Sequence, residues 1–228
     1  MNSLEKSHPI VKYATDRKIP ESFFYRIAYV ADFGSYYNKN REDNKNELKT
    51  SGTIPRLVLP YFDKVGNVPM VTCRAFGDEQ PKYMYLFDGS EKTASTGIYV
   101  LWRIDHKERI LVTEGQIDSL LLENAIAVGG TNYSKNDWLL ENKFRVIIVP
   151  DNDWRTNKHV QKSLLAAVDA GFGVSFLPDV KGAKDVNDLI KRGWYRKELT
   201  DYLKANFIYG LKAIGQIKLL GDKKLASV

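Results

Sequence analysis

Cysteine occurs once in these 228 residues and histidine three times. A single thiol cannot close a disulfide within the chain, and it cannot supply the Cys/His set of a zinc ribbon, so no zinc is expected. Cys73 sits in the strand-like run MVTCRAF and reads as a small, half-buried residue rather than a reactive thiol. Long apolar runs are also missing. No stretch approaches the ~20 residues that a membrane span needs. The opening MNSLEKSHPIVKYATDRK lacks the apolar centre of a secretory signal. A Gly-rich loop ending in Lys-Ser/Thr is absent, so no P-loop ATPase motor is encoded. No internal repeat or low-complexity tract occurs. What remains is the expectation of a soluble, cytoplasmic protein with no membrane partner, built as one large domain or two small ones.

What is present is an uneven distribution of charge. The net charge is +6. Ile110 to Leu189 carries 8 basic and 11 acidic residues, whereas Ile190 to Val228 carries 9 basic and 3 acidic. An acidic block that must meet a polyanion needs metal ions, and a basic flank can neutralise phosphates. A Lys-rich tail also reads as a solvated helix face, and charge alone leaves both readings open.

Hydrophobic patterning divides the chain. Residues up to about Phe33 read as a helical lead-in, with a helix start at Pro20-Glu21. Residues 36–53 are polar and nearly free of aliphatics, and read as a long loop or mobile insertion. RLVLPYFD and VPMVTCRAF read as two strands joined by a turn at Gly66-Asn67, and GIYVLWRI as another strand or as a strand leading into a short helix. From Arg109 strands alternate with helices: RILVTEG, QIDSLLLENA, IAVGGT, NYSKNDWLLENK, FRVIIVPDND, HVQKSLLAAVDAG, VSFLPD and VNDLIKRG, with Gly171 and Gly193 closing two of the helices. That alternation implies a mainly parallel sheet. YRKELTDYLKANF is a further helix, and a basic, weakly periodic stretch follows it.

In an open parallel sheet, ligands bind beyond the carboxyl ends of the strands. Acidic residues fall at three such ends: Glu114 after RILVT, Asp151 and Asp153 after RVIIVP, and Asp179 and Asp185 after VSFLP. Asp118 follows one helical turn beyond Glu114 and can face the same edge. Close carboxylates repel unless they share a proton or a cation. Hard oxygen ligands with no His or Cys beside them suit Mg2+ or Mn2+, the ions of phosphoryl transfer. A lone Glu after a strand can serve as general acid or base. Each acid also has a plainer reading: Asp151 or Asp153 as cap of the helix that follows, and Asp188 as a first-turn residue favoured by the helix dipole.

VTEGQID, then IIVPDND, then LPDVKGAKDVNDLI resembles the Toprim fold, whose signatures are a Glu-Gly after one strand and an Asp-x-Asp after a later one. TDRKIPESFFYRIAYV, IPRLVLPYFDKVGNV, CRAFGDEQPKYMYL and LWRIDHKERILVTEG are similar to the segments that precede Toprim in bacterial and phage-type (DnaG-like) DNA primases. The resemblance runs from about Ala14 to about Leu203. It implies an α/β fold: a Toprim domain over 106–194 with a central, mainly parallel sheet flanked by helices. A smaller α+β basic subdomain over 1–105 would precede it, and a basic helical segment over 195–228 would follow. It also implies catalysis by Glu114, Asp151 and Asp153, with Mg2+ or Mn2+ held by Glu114, Asp118, Asp151, Asp153 and Asp185. Arg56, Arg74, Lys82, Tyr83 and Lys184 would meet nucleotide and DNA, the cations at phosphate and Tyr83 by stacking or packing.

The expected activity is synthesis of short RNA primers from ribonucleoside triphosphates on a single-stranded DNA template. A replicative helicase or a separate initiation-specificity protein is an expected partner. The chain departs from the family in having no cysteines for the N-terminal zinc ribbon, in reading AKDVND where the family commonly has Gly-Lys-Asp-Pro-Asp, and in continuing with WRTNKH after Asp153. Two rivals stand beside it: a metal-dependent Toprim nuclease, and a non-catalytic single-stranded-DNA-binding replication accessory.

Overall fold

The computed structural model describes residues 4–40, 54–63, 65–87 and 97–221. The chain forms two compact units, Met1–Gly97 and Ile98–Val228. This division falls earlier than the 105/106 boundary expected from sequence.

The first unit opens with α1 (Pro9–Asp16), where Pro9 takes the first turn and His8 Nδ1 accepts from the Ile10 N–H at 3.3 Å. The helix start expected at Pro20-Glu21 is a 3-10 turn, Glu21–Arg26. Next come β1 (Ala28–Val30) and α2 (Phe33–Asn40). Asp32 accepts from the Ser35 N–H at 3.1 Å and its hydroxyl at 2.6 Å, which satisfies donors that the first turn of a helix leaves open. Residues 36–40, expected in a loop, therefore belong to a helix, and 41–53 lie outside the described residues.

β2 (Arg56–Tyr61), β3 (Met70–Ala75) and β4 (Tyr83–Phe87) follow. With β1 they form a four-stranded antiparallel sheet in the order β1-β2-β3-β4. The expected β2–β3 turn forms: Gly66 has φ +94, and Asp63 Oδ1 accepts from the Val65 and Asn67 N–H groups. Phe33, Val58, Cys73 and Leu86 make a core on this sheet. Cys73 is fully buried, and burial pushes its thiol up to about 12, so it is inert as a nucleophile near neutral pH.

The second unit runs β5 (Ile110–Thr113), α3 (Gln116–Leu120), β6 (Ala125–Ala127), α4 (Asp137–Glu141), β7 (Val146–Val149), α5 (Lys158–Asp169), β8 (Gly173–Val174), α6 (Val186–Lys191), α7 (Arg196–Ala205) and α8 (Gly210–Leu220). Its sheet is parallel in the order β6-β5-β7-β8. Ile110, Val112, Val146 and Ile148 share one core with Val160 and Leu164 of α5 and Ala213 and Ile217 of α8. The alternate residues Leu111 and Ile147 point to the other face and are also fully buried, so both faces are covered, as parallel strands require. No residue of α3, α6 or α7 joins the first cluster.

Helix ends follow the sequence signals. Asn157 caps α5 by accepting from the His159 and Val160 N–H groups, and Gly171 (φ +97) follows the helix. Asp185 caps α6, and Gly193 (φ +102) ends it. VSFLPD forms ladder only at its start; Ser175 N–H still donates to Ile148 C=O at 2.8 Å. No helix among the described residues is long and apolar enough to cross a membrane.

Candidate active site

β5 and β7 are neighbours, and each ends in an acid: Glu114 follows Thr113, and Asp151 follows Val149 and Pro150. The Asp151 N–H points at Glu114 Oε1 at 3.4 Å. Asp118 is brought back toward this edge by α3. A Cβ on Gly115 would lie 2.7 Å from Asp118 Oδ2, so the glycine of the Glu-Gly pair is what admits that carboxylate. Asp118 Oδ1 accepts from the Asn187 N–H at 3.0 Å, tying α3 to α6.

Asp153 lies two residues past Asp151, in the first turn of a 3-10 segment (Asn152–Arg155), exposed, and accepts from Asn157 Nδ2 at 3.3 Å. The side chain between the two aspartates faces inward. Asn152 is 3% exposed; its Nδ2 donates to Ala183 C=O at 2.9 Å and its N–H to Lys184 C=O at 2.7 Å. Trp154, fully buried against Phe176, anchors the other side of the turn. These two clamps hold the Asp-x-Asp turn beside the loop that carries Asp185.

The charges of these acids act on one another. Burial raises the Asp151 carboxyl to about 9, assisted in order by the charges of Asp118, Glu114, Asp185 and Asp153. Glu114 is raised to about 7, first by burial and then by Asp153. Tyr133, in the loop after β6, is wholly buried; its hydroxyl is raised by burial and then by Glu114, Asp151 and Asp153. The same loop passes Gly129, whose N–H donates to Glu114 C=O at 3.0 Å, and lines a cavity of about 320 Å³ with Gly130, Asn132 and Lys135.

Among the described residues no three Asp, Glu, His or Cys side chains converge closely enough to hold a metal ion as they stand. The donor chemistry nevertheless fits a hard divalent cation. The set is all carboxylate, it comes from separate elements, and burial together with neighbouring carboxylates raises Asp151 and Glu114, which a cation would relieve.

Other expected residues divide. Asp151 makes no cap hydrogen bond, and Asn157 caps α5, so the capping reading of Asp151 and Asp153 is not the one realised. Asp185 does cap α6, accepting from the Asp188 N–H at 2.7 Å, and Asp188 sits in its first turn and accepts from the Lys184 N–H at 3.0 Å. Lys184 is exposed beside them. Asp179 is exposed and pairs with Arg155 at 3.5 Å.

In the first unit, Arg56 and Arg74 were expected at phosphate but are 3% and 4% exposed. Arg56 donates to the Cys73 and Lys82 carbonyls and lies 4.7 Å from the Phe33 ring centroid. Arg74 donates to the Tyr83 hydroxyl at 3.0 Å and to Ala75 C=O. As placed, both brace the sheet, because two-sided burial of β2 and β3 turns their stems inward. Lys82 and the partly exposed Tyr83 remain at the surface. Tyr133, Asn152 and Trp154 escaped the sequence reading. A polar residue trapped between two aspartates was the available sign for Asn152.

Comparison with known proteins agrees with this geometry. The chain is 30% identical to the DNA primase of Enterobacteria phage T4 over 216 residues, 93% of this chain and 60% of that protein. It therefore spans about 60% of the length of that relative. Among solved structures, the DnaG primase catalytic domain bound to single-stranded DNA superposes with a TM-score of 0.65 at 18% identity, over 94% of this chain and 77% of that one. The E. coli primase catalytic core superposes with a TM-score of 0.63 at 16% identity, over 94% and 78%. No family model matches the chain. Carboxylates at two adjacent strand ends, a fold shared across nearly the whole chain and similarity to a phage enzyme agree: this chain is similar to the T4 DNA primase over 93% of its own length and has the fold of DnaG-type primase catalytic cores.

Proposed function

We propose that the chain is the polymerase core of a DNA primase, joining ribonucleoside triphosphates into short primers on single-stranded DNA. The observation that carries this reading is the kinship to a DNA primase over 93% of the chain, since it includes the first unit, which other Toprim enzymes do not need. A Mg2+ or Mn2+ ion would be held by Glu114, Asp118, Asp151, Asp153 and Asp185, together with substrate phosphates. When bound, it supplies charge neutralisation for the pentavalent transition state and the leaving pyrophosphate.

The chain's own residues do the rest. Before a cation binds, burial and then the charge of Asp153 raise the Glu114 carboxyl to about 7; once ionised, it is the group of this set suited to take the proton of the attacking 3′-hydroxyl. Asn152 and Trp154 keep the Asp151–Asp153 turn in register, so the carboxylates are positioned before substrate arrives. Lys184, beside this edge, and Lys82 with Tyr83 in the first unit are the exposed groups suited to phosphate and base.

The test is primer synthesis on single-stranded DNA with labelled ribonucleotides and Mg2+ or Mn2+, comparing wild type with Glu114→Gln and Asp151→Asn. Short products that disappear in both variants are expected, a loss of at least about 10²-fold. DNA cleavage without nucleotides would replace this reading with a nuclease. DNA binding with no product, indifferent to Glu114→Gln, would replace it with an accessory module.

A further inference from the structure

The parallel sheet has a second built end. Where β5, β7 and β8 begin, away from Glu114 and Asp151, a cavity of about 330 Å³ opens among Arg109, Lys143, Phe144, Gly173, Phe207 and Tyr209. β5 and β7 are four residues long, so about 13 Å of strand separates the two ends.

Phe144 is 79% exposed and Tyr209 68%, two large rings kept in water. Cations sit beside them. The Arg109 guanidinium lies 4.3 Å from the Phe207 ring centroid and donates to Phe144 C=O at 3.1 Å. Lys143 Nζ is 5.3 Å from the Phe144 ring centroid. The Phe207 and Tyr209 rings are 6.2 Å apart and tilted by 32°. The floor depends on glycine: a Cβ on Gly173 would come within 3.0 Å of the Phe207 ring. Among the described residues no carboxylate lines the cavity.

We propose that this cavity is a second nucleic-acid site. It takes one base of a single-stranded DNA segment against Phe144 and Tyr209, and the adjoining phosphates on Arg109 and Lys143. Open aromatic faces flanked by cations are what sequence-independent single-strand sites are made of, because every base has a π-face and every nucleotide a phosphate. The volume lies at the lower end of the ~300–1,000 Å³ of ligand pockets, room for one base rather than a folded partner element. A lining with cations and no acid favours a polyanion over a peptide of mixed charge. The cavity lies away from the carboxylates, so a strand held there is anchored and does not react. The choice of DNA as occupant rests on the primase reading; the cavity does not.

The experiment uses the full chain, labelled oligothymidylate, and the variants Phe144→Ala/Tyr209→Ala, Lys143→Gln and Tyr209→Trp. The double variant is expected to bind oligothymidylate about tenfold more weakly, with an unchanged melting midpoint and unchanged primer synthesis at saturating template. Lys143→Gln should reduce the salt slope of binding by about 0.7. In Tyr209→Trp, oligothymidylate should quench the added indole emission and ATP should not. Unaltered affinity and slope in both variants overturn the proposal. Equal quenching by ATP also overturns it, assigning the cavity to free nucleotide. If the double variant does not fold, Lys143→Gln and Tyr209→Trp decide. A chain that makes no primers yet loses affinity in these variants sinks the primase reading and leaves the site standing; one that makes primers with affinity unmoved does the reverse.

Discussion

Asp151 governs the charge balance of the site. Its folded-state pKa of about 9 lies above the ordinary 3.8, so the folded chain keeps a proton that the unfolded chain gives up. The stability this contributes is complete below the unfolded value and is lost as pH rises through about 9. Glu114, raised from 4.5 to about 7, acts in the same direction. With a chelator present, the melting midpoint should therefore fall across that window. Asp151→Asn should flatten the fall and, toward its alkaline end, melt higher by about 2–4 °C, the shift that ~1 kcal/mol makes in a chain of this size. Calorimetry across pH checks both, and an unchanged slope would remove Asp151 from the account. Gly115→Ala makes a separate prediction. Its Cβ meets Asp118 Oδ2 at 2.7 Å, so the carboxylate must move, and kcat for nucleotide addition should drop by up to about 10²-fold while the melting midpoint changes little. The acids themselves were legible because carboxylates at strand ends carry a charge signal. Tyr133 and Asn152 were not, because a buried phenol and a buried amide resemble loop residues until the chain is folded around them.

Short elements set the register of the site. The Asp-x-Asp turn is held to the loop before α6 through Asn152 and the Ala183 and Lys184 carbonyls. Asn152→Ala leaves the Ala183 carbonyl without its side-chain donor, and should cost about 1–3 kcal/mol in denaturant unfolding and lower primer synthesis more than Asn157→Ala does. The latter removes the cap of α5, worth about 1 kcal/mol, and one 3.3 Å hydrogen bond to the exposed Asp153 carboxylate, while leaving the Asp151–Asp153 turn held by Asn152. If the two variants behaved alike, the clamp role of Asn152 would fail. Glycine stops and the β2–β3 turn were readable because their chemistry is local. β1 was not, since three residues become a strand only when β2 is there to pair with them. β8 is shorter than its β-branched and aromatic run implied, because ladder partners on β7 extend only to Ile147 and Ile148.

At the scale of the whole molecule, the second unit closes its own core. All of the cluster around Ile148 and Trp154 comes from residues after Gly97, and α8 contributes Ala213 and Ile217 to it. A fragment of residues 98–221 should therefore melt cooperatively with a near-UV circular dichroism signal from Trp154, whereas one ending before α8 should lose that signal. A fragment of 98–221 without a cooperative transition would refute this self-sufficiency. Sequence alone determined the alternating α/β order, the parallel sheet and the strand ends that carry Glu114, Asp151 and Asp153, because periodicity, capping and turn chemistry act over a few residues. Tertiary structure decided what burial and neighbours decide. It set the charges of Asp118, Glu114, Asp185 and Asp153 to act on Asp151, buried Arg56 and Arg74 within the first sheet, and gathered cations and rings from distant segments at the far sheet end. Desolvation and packing act between residues far apart in the chain, and no local pattern encodes them.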